Sequence, residues 1–261
     1  MSLKHLTRIV LLAIAGTSFT FSAHSAYIRQ GSSSPTGNDC YIITPDYSGE
    51  SGAVWYSSRL DLAYNFDMTF QVYLGTADYE GADGIAFVLQ SLGTGVLGGG
   101  GGGIGYEGVT PSIAVEYDTW QNDDPEYDHI AVQRNGDYSS YGTIAGPVQA
   151  AANTSNIEDG QWHTTQIVWD ATTMTMTVYF DGNLRLTFSN NLVANTFNGN
   201  SKVYWGFTGG TGAASNLQQF CITSVSFKEV PPEVIPLSPW VLLISIFLIL
   251  TVTVFRYKRT L

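Results

Sequence analysis

Positive charge is scarce in this chain. Lysine and arginine total 11 of 261 residues, against 22 aspartates and glutamates. Lys4, Arg8, Arg256, Lys258 and Arg259 lie in the terminal segments, so the middle is poorer still in cations. That leaves no basic patch and excludes nucleic acid as a partner. The acidity fits cation binding and solubility instead. No stretch between the ends has helix periodicity of useful length, and no internal repeat or second domain is visible. Residues 98–103 are all glycine, but no Lys-Ser/Thr pair and no helix pattern follow, which excludes a phosphate-binding loop. Cysteine is limited to Cys40 and Cys221.

What is present is a strand-and-turn vocabulary, with 28 glycines, 15 tyrosines and 13 phenylalanines. Phe66, Met68, Phe70, Val72 and Leu74 alternate with polar residues. So do Met174, Met176, Val178 and Phe180, then Leu184, Leu186 and Phe188, and again Val203, Trp205 and Phe207. Asp181-Gly182 between two of these runs is a hairpin signal. Strands with one apolar face each must pack as two sheets, so the fold class is all-β, a two-sheet β-sandwich.

The densest chemistry lies between Glu116 and His129. Ile113, Val115 and Tyr117 alternate with Ala114, Glu116 and Asp118, the period of a strand. Glu116 and Asp118 share one face, and Trp120 and Asn122 continue the same parity. Asp124-Pro125 turns the chain, and His129 opens a new apolar run. Carboxylate and amide oxygens suit Ca²⁺, and an added imidazole suits a transition metal such as Mn²⁺ beside it.

The order Glu-x-Asp-x-(aromatic)-x-Asn, then Asp-Pro, then His-Ile resembles the metal loop of legume lectins and their bacterial L-type relatives. The resemblance runs from about Cys40 to Phe227 and sharpens the sandwich to a concanavalin-like jelly roll. It implies that Glu116, Asp118, Asp124 and His129 hold a transition metal. Asp118, the Trp120 carbonyl, Asn122 and Asp124 would hold Ca²⁺. The segment between Asn122 and Asp124 is several residues shorter than in the plant proteins.

The resemblance also implies a sugar site. Asp83, just before the apolar residues 85–89, matches the aspartate that accepts hydroxyl hydrogens from a sugar, and the Ala82–Asp83 peptide bond is expected to be cis. Gly102 is the best match to a loop glycine whose N–H donates to the sugar. Asn122 would donate its NH₂ while its oxygen faces Ca²⁺. Trp120 offers a face for a pyranose. Residues 209–216 follow a strand expected at 204–208, and the resemblance places the specificity loop there, within the pattern that Gly206-Phe-Thr-Gly-Gly-Thr-Gly212 matches, so Gly212 and Ala213 would touch the sugar. The implied function is a calcium-dependent, non-catalytic carbohydrate-binding protein with glycans as partners. One alternative is a surface adhesin with an inactive sugar site. Another is a laminarinase-like glycoside hydrolase of the same architecture, whose Glu-x-Asp-x-x-Glu motif here ends on Gln121.

Both ends read as targeting segments. Lys4 and Arg8, residues 9–15 and Ala23-His-Ser25 form a signal-peptide pattern, with a membrane anchor as the alternative. At the other end, Ile235-Pro-Leu-Ser-Pro-Trp240, an apolar run and Arg256-Tyr-Lys-Arg259 resemble the Ile-Pro-Thr-Leu type of bacterial sorting signal, with Leu237 in place of threonine. The expected division is a signal peptide at 1–25, a lectin-like domain at 27–229, a linker with sorting motif at 230–239, and a transmembrane segment with basic tail at 240–261. Export places the protein in the periplasm, at the cell surface or outside the cell. In such oxidising compartments two lone cysteines pair, so a Cys40–Cys221 disulfide is expected with Cα atoms about 4.4–6.8 Å apart. Two buried free thiols are the alternative.

Overall fold

A computed structural model describes residues 26–122 and 124–230. The described chain is all-β apart from a 3-10 turn at Gly101–Gly103 and a four-residue helix at Leu192–Asn195. The front sheet runs, edge to edge, Tyr27–Gly31, Ser51–Tyr56, Lys202–Gly210, Gly84–Gln90, Ser112–Asp118, His129–Arg134 and Thr143–Gln149, with the short strand Arg59–Asp61 attached at Lys202 and Val203 and Glu229–Val230 paired to that short strand. The back sheet runs Asn183–Ser189, Thr175–Phe180, Trp162–Asp170, Phe66–Tyr73, Gln218–Ser226, Cys40–Thr44 and Ser34–Gly37.

The alternation in the sequence becomes the core. Phe66, Met68, Phe70 and Val72 from the back sheet meet Val115, Tyr117, Phe87, Trp205 and Phe207 from the front, all buried. Phe207 stacks on Phe220 across the sheets at 4.4 Å between ring centres, and Phe70 meets Phe207 edge-on at 4.9 Å. Asp181 and Gly182 both adopt positive φ, the geometry of a tight hairpin between Thr175–Phe180 and Asn183–Ser189. Met174 departs from the expected alternation. It has φ 53° and is exposed, because it belongs to the turn before its strand.

Cys40 and Cys221 are bonded. They occupy opposed positions on neighbouring strands, which brings their Cα atoms to 4.0 Å, slightly nearer than the expected range. The signal peptide expected at 1–25 and the sorting motif lie outside the described residues. The transmembrane expectation is corrected: among the described residues no helix is long and apolar enough to cross a membrane. Residues 240–261, on which that expectation rested, lie outside the described residues as well.

Candidate functional site

Strand Ser112–Asp118 separates two environments. Ile113, Val115 and Tyr117 enter the main core, while Ala114 joins a smaller cluster with Trp55, Ala86, Val88, Ile104 and Tyr106 on the opposite face. That second face is roofed by the glycine-rich segment, so Glu116 and Asp118 are buried rather than solvated. Glu116 accepts hydrogen bonds from the Tyr106 hydroxyl and, at 2.8 Å, from Gln133 Nε2. Burial pushes its carboxyl up to about 7, against the pull of those two donors. Asp118 is raised too, by burial first and then by Glu116.

The strand ends at Asp118, so the face parity stops there. Asp118 Oδ1 accepts the Trp120 N–H at 2.9 Å and turns the chain. Asp124 Oδ1 accepts the Asn122 N–H at 3.1 Å and turns it again. Trp120 is consequently half-buried and Asn122 exposed, both positioned by side-chain-capped turns rather than by strand alternation. Asp118, Asp124 and His129 each present a ligand atom, and the three atoms lie within 4.8 Å of one another. His129 Nε2 stands 3.8 Å from Asp124 Oδ2. Burial lowers the imidazole's proton affinity, which keeps it available as a neutral ligand. A largely buried Asp/Asp/His cluster of this kind could coordinate a metal ion. Glu116 lies behind it, engaged with Tyr106 and Gln133.

Asp83 precedes strand Gly84–Gln90, whose residue Gly84 pairs with Asp118. The Ala82–Asp83 bond is cis, as expected. The Asp83 backbone is held on both sides: its N–H donates to Gly210 O at 3.0 Å and its carbonyl accepts the Thr119 N–H at 3.0 Å. Its side chain is buried, and Oδ2 has no hydrogen-bond partner. Burial raises the carboxyl to about 6, with the Gly212 N–H pulling the other way.

Two glycine segments make room around Asp83. Lys202–Gly210 extends as strand through Gly209 and Gly210, so the variable loop begins at Thr211, later than the sequence pattern suggested. Gly101 donates its N–H to Thr211 O at 3.1 Å, and a methyl group on Gly210 would lie 2.8 Å from Gly101 O. Only glycine permits that approach. A methyl on Gly101 would lie 4.0 Å from Asp83 Oδ2, one on Gly212 3.1 Å from it, and one on Gly102 3.1 Å from Asn122 Nδ2. Asp83, Gly101, Gly102, Asn122 and Gly212 therefore converge at one end of the front sheet. Ala213 follows on the exposed side.

A neighbouring acidic group escaped sequence reasoning. Glu158 is 1 % exposed, accepts a hydrogen bond from Asn216 Nδ2, and leaves Oε2 without a partner. Burial, reinforced by Asp128, raises it to about 9. Asp128 is itself raised to about 7 by burial, while accepting the Ile157 N–H at 2.6 Å. Asp128, Glu158 and Asn216 are far apart in sequence and share no motif, so no local pattern marks them.

Residues 16–224 match the model of the L-type lectin domain, described as the legume lectin beta-barrel domain. The pesticidal crystal protein Cry22Aa of Bacillus thuringiensis is 25 % identical over 226 residues, 74 % of this chain but 30 % of that protein, so the chain spans under a third of that relative. Lectin I-B4 of Griffonia simplicifolia, in its metal-free form, superposes with a TM-score of 0.65 at 23 % identity, covering 82 % of this chain and 97 % of the lectin. The lectin of Bauhinia forficata in complex with GalNAc gives a TM-score of 0.63 at 22 % identity, covering 82 % and 96 %. Likeness at that identity concerns the fold: an all-β, two-sheet jelly roll of the legume-lectin kind.

Proposed function

Since this chain belongs to the legume lectin β-barrel domain family, we propose that it is an exported, calcium-dependent carbohydrate-binding protein without catalysis of its own. The observation that carries the reading is the buried, unpartnered Oδ2 of Asp83, set among glycines beside Asn122 and the Asp118–Asp124–His129 cluster. A carboxylate oxygen stripped of water and left unpaired is costly, and a ligand hydroxyl relieves that cost with a charge-assisted bond. The hydrogen bonds of the 3-10 turn are donated by Gly103 and Ile104, which leaves the Gly102 N–H outside the turn's own bonding. Asn122 Nδ2 adds a donor and the half-buried Trp120 an apolar face. Gly212 and Ala213 border the same opening. The Bauhinia relative in complex with GalNAc supports the class of ligand.

The donor set suits a hard cation. Asp118, Asp124, the Asn122 amide oxygen and the Trp120 carbonyl would hold Ca²⁺. Glu116, Asp118, Asp124 and His129 would hold a transition metal such as Mn²⁺, Glu116 turning from Tyr106 and Gln133 to do so. The bound cation would neutralise the carboxylates and fix the Asn122 rotamer. Glu116 and Asp118 would stay ionised beside it, so neither suits general-acid chemistry, and Gln121 stands where a hydrolase of this architecture needs a further carboxylate. Residues 1–25 would be removed on export, and the motif at residues 235–240 would act in sorting.

A glycan array read with calcium and with chelator tests the reading. Binding should disappear with chelator. Asp83→Asn should abolish glycan binding while calorimetry still detects calcium. Glycan binding that survives chelation, or an Asp83→Asn protein that binds as well as its parent, overturns it.

A further inference from the structure

Strand Gln218–Ser226 opens with a polar residue at an inward position. Gln218 and Phe220 share the buried parity of the strand, yet of the two only Phe220 is apolar and joins the core. The Gln218 amide is wholly buried, and both its nitrogen and its oxygen are engaged. Nε2 donates to Ala82 O at 3.0 Å and to Gly210 O at 3.3 Å. Those carbonyls only accept, so the nitrogen must face them and Oε1 must face away. Oε1 accepts the hydroxyl hydrogen of Thr44 at 2.9 Å, from the opposed position on Cys40–Thr44. Gly209 makes room for the amide: a methyl there would lie 2.9 Å from Gln218 Oε1. An amide buried in a core is costly unless such bonds are made, and an apolar pair would fill the space without that risk. The Thr44–Gln218 pair therefore calls for a role that apolar side chains could not perform.

That role lies in the peptide joining Ala82 to Asp83. Gln218 holds its carbonyl. At its other end the Asp83 N–H donates to Gly210 O, the same oxygen that Gln218 reaches. The approach to this peptide is fixed separately, by Asn216, which is 2 % exposed. Asn216 Oδ1 accepts the N–H groups of Thr76 and Ala77 at 3.2 and 3.3 Å, and Nδ2 donates to Ala77 O at 2.9 Å. Methyls on Gly75 and Gly81 would lie 2.1 and 2.0 Å from atoms of that amide, so the segment is fitted round it. Asn216 thus anchors the approach, and Gln218 the last peptide before Asp83.

We infer that Gln218, its amide oriented by Thr44, is a positioning residue for the Asp83 carboxylate. The inference rests on the carbohydrate-binding reading above, in which Asp83 accepts hydroxyl hydrogens from a sugar, and it adds a core residue that acts on the sugar only through Asp83. The aspartate side chain is short, so its carboxylate follows the peptide that carries it. Binding groups need placement to within about 0.5 Å, and Gln218 supplies that by gripping the peptide from inside the sandwich. Its partners are Thr44, Ala82 and Gly210, none of them a candidate metal ligand, so calcium affinity does not depend on it.

The test uses the full chain with calcium, titrated by calorimetry with galactose, glucose, mannose, fucose and N-acetylgalactosamine. Gln218→Met nearly keeps the volume and removes the amide. It should weaken sugar binding by about tenfold or more while calcium affinity stays within about twofold of the parent's. Thr44→Val removes only the hydroxyl that orients the amide and should weaken sugar binding about threefold. Thr44→Ser restores the hydroxyl and should recover parental affinity. Thr44→Val and Thr44→Ser carry the test alone if Gln218→Met does not fold. Phe220→Leu, the next inward residue of the same strand, should lower the melting temperature and leave sugar affinity intact. Parental sugar affinity in Gln218→Met or in Thr44→Val overturns the inference while the carbohydrate-binding reading stands. So does a calcium loss that matches the sugar loss, or a Phe220→Leu protein that loses sugar affinity as Gln218→Met does, since either marks a general loosening. No sugar binding by the parent overturns both.

Discussion

The two faces of strand Ser112–Asp118 are built on opposite principles. On one face, Ile113, Val115 and Tyr117 are buried against apolar partners supplied by the chain itself. On the other, Glu116 and Asp118 are just as buried but bring negative charge into a region whose near neighbours are further carboxylates. The first face stabilises the fold outright. The second is incomplete within the chain, because ionised carboxylates in low dielectric need a countercharge. One strand thus serves as a structural wall and as half of a binding site, and alternation keeps the two roles from interfering.

The sharpest way to break that contrast is to remove charge from one face and volume from the other. Asp118→Asn should abolish calcium-dependent glycan binding, a loss above about 100-fold by calorimetry, because a shared ligand is removed. The same variant should leave metal-free stability unchanged or raised, since a buried charge is gone. Ile113→Ala, five positions away on the core face, should do the reverse. It should cost about 2–5 kcal/mol in urea unfolding and spare calcium affinity. If Asp118→Asn destabilised the metal-free protein as much as Ile113→Ala, the two faces would not differ as argued.

Acidity gives a further test. Asp83, Glu116 and Asp128 have folded-state carboxyls raised to about 6, 7 and 7 by burial, and Glu158 to about 9. Such groups keep a proton in the folded state where the unfolded chain, with carboxyls near 4, has lost it. Their stabilising contribution is full below about pH 4 and falls as pH rises through the folded values. With chelator present, the melting temperature should therefore rise as pH is lowered from 8 to 6. Calcium should flatten the part of that slope due to Glu116 and Asp118, at the expense of weaker calcium affinity at the lower pH. A chelated protein whose melting temperature falls over that window would refute the assignment.

The disulfide has the smallest expected effect on function. Replacing both Cys40 and Cys221 with serine should lower stability by about 2–4 kcal/mol. Glycan and calcium affinities should hold at temperatures where the variant is folded, because the bridge ties the back sheet and touches neither face of Ser112–Asp118. Loss of calcium binding in the folded variant would show that the back sheet shapes the site.

Much of this architecture is readable from the sequence, and the gaps have physical causes. Alternation identifies strands wherever one face is apolar, as in Phe66–Tyr73 and Ser112–Asp118. It fails at Trp120 and Asn122, where side-chain-capped turns replace strand geometry. It also misplaces Gly209 and Gly210, which lack a side chain to signal a face yet remain in the sheet. Met174 has the right residue type and sits one residue outside its strand. Asp83, Gly102 and Gly212 can be nominated only by resemblance, since a lone Asp-Gly or Gly-Gly has many uses. The Glu158–Asp128–Asn216 group and the Thr44–Gln218 pair arise from tertiary neighbours, which no local pattern encodes.

The contact between Gly210 and the Gly101 backbone ties the histories of two distant segments together. A side chain at Gly210 would wedge the strand and the loop apart and spoil the opening for every ligand at once, while Gly101 resists substitution through its φ of 58° rather than for lack of space. Change in ligand preference is then channelled into segments that border the opening without holding it up. Ala213 and Ala214, at the edge of the opening, can change with the least disturbance, while the glycine seam beneath them stays fixed.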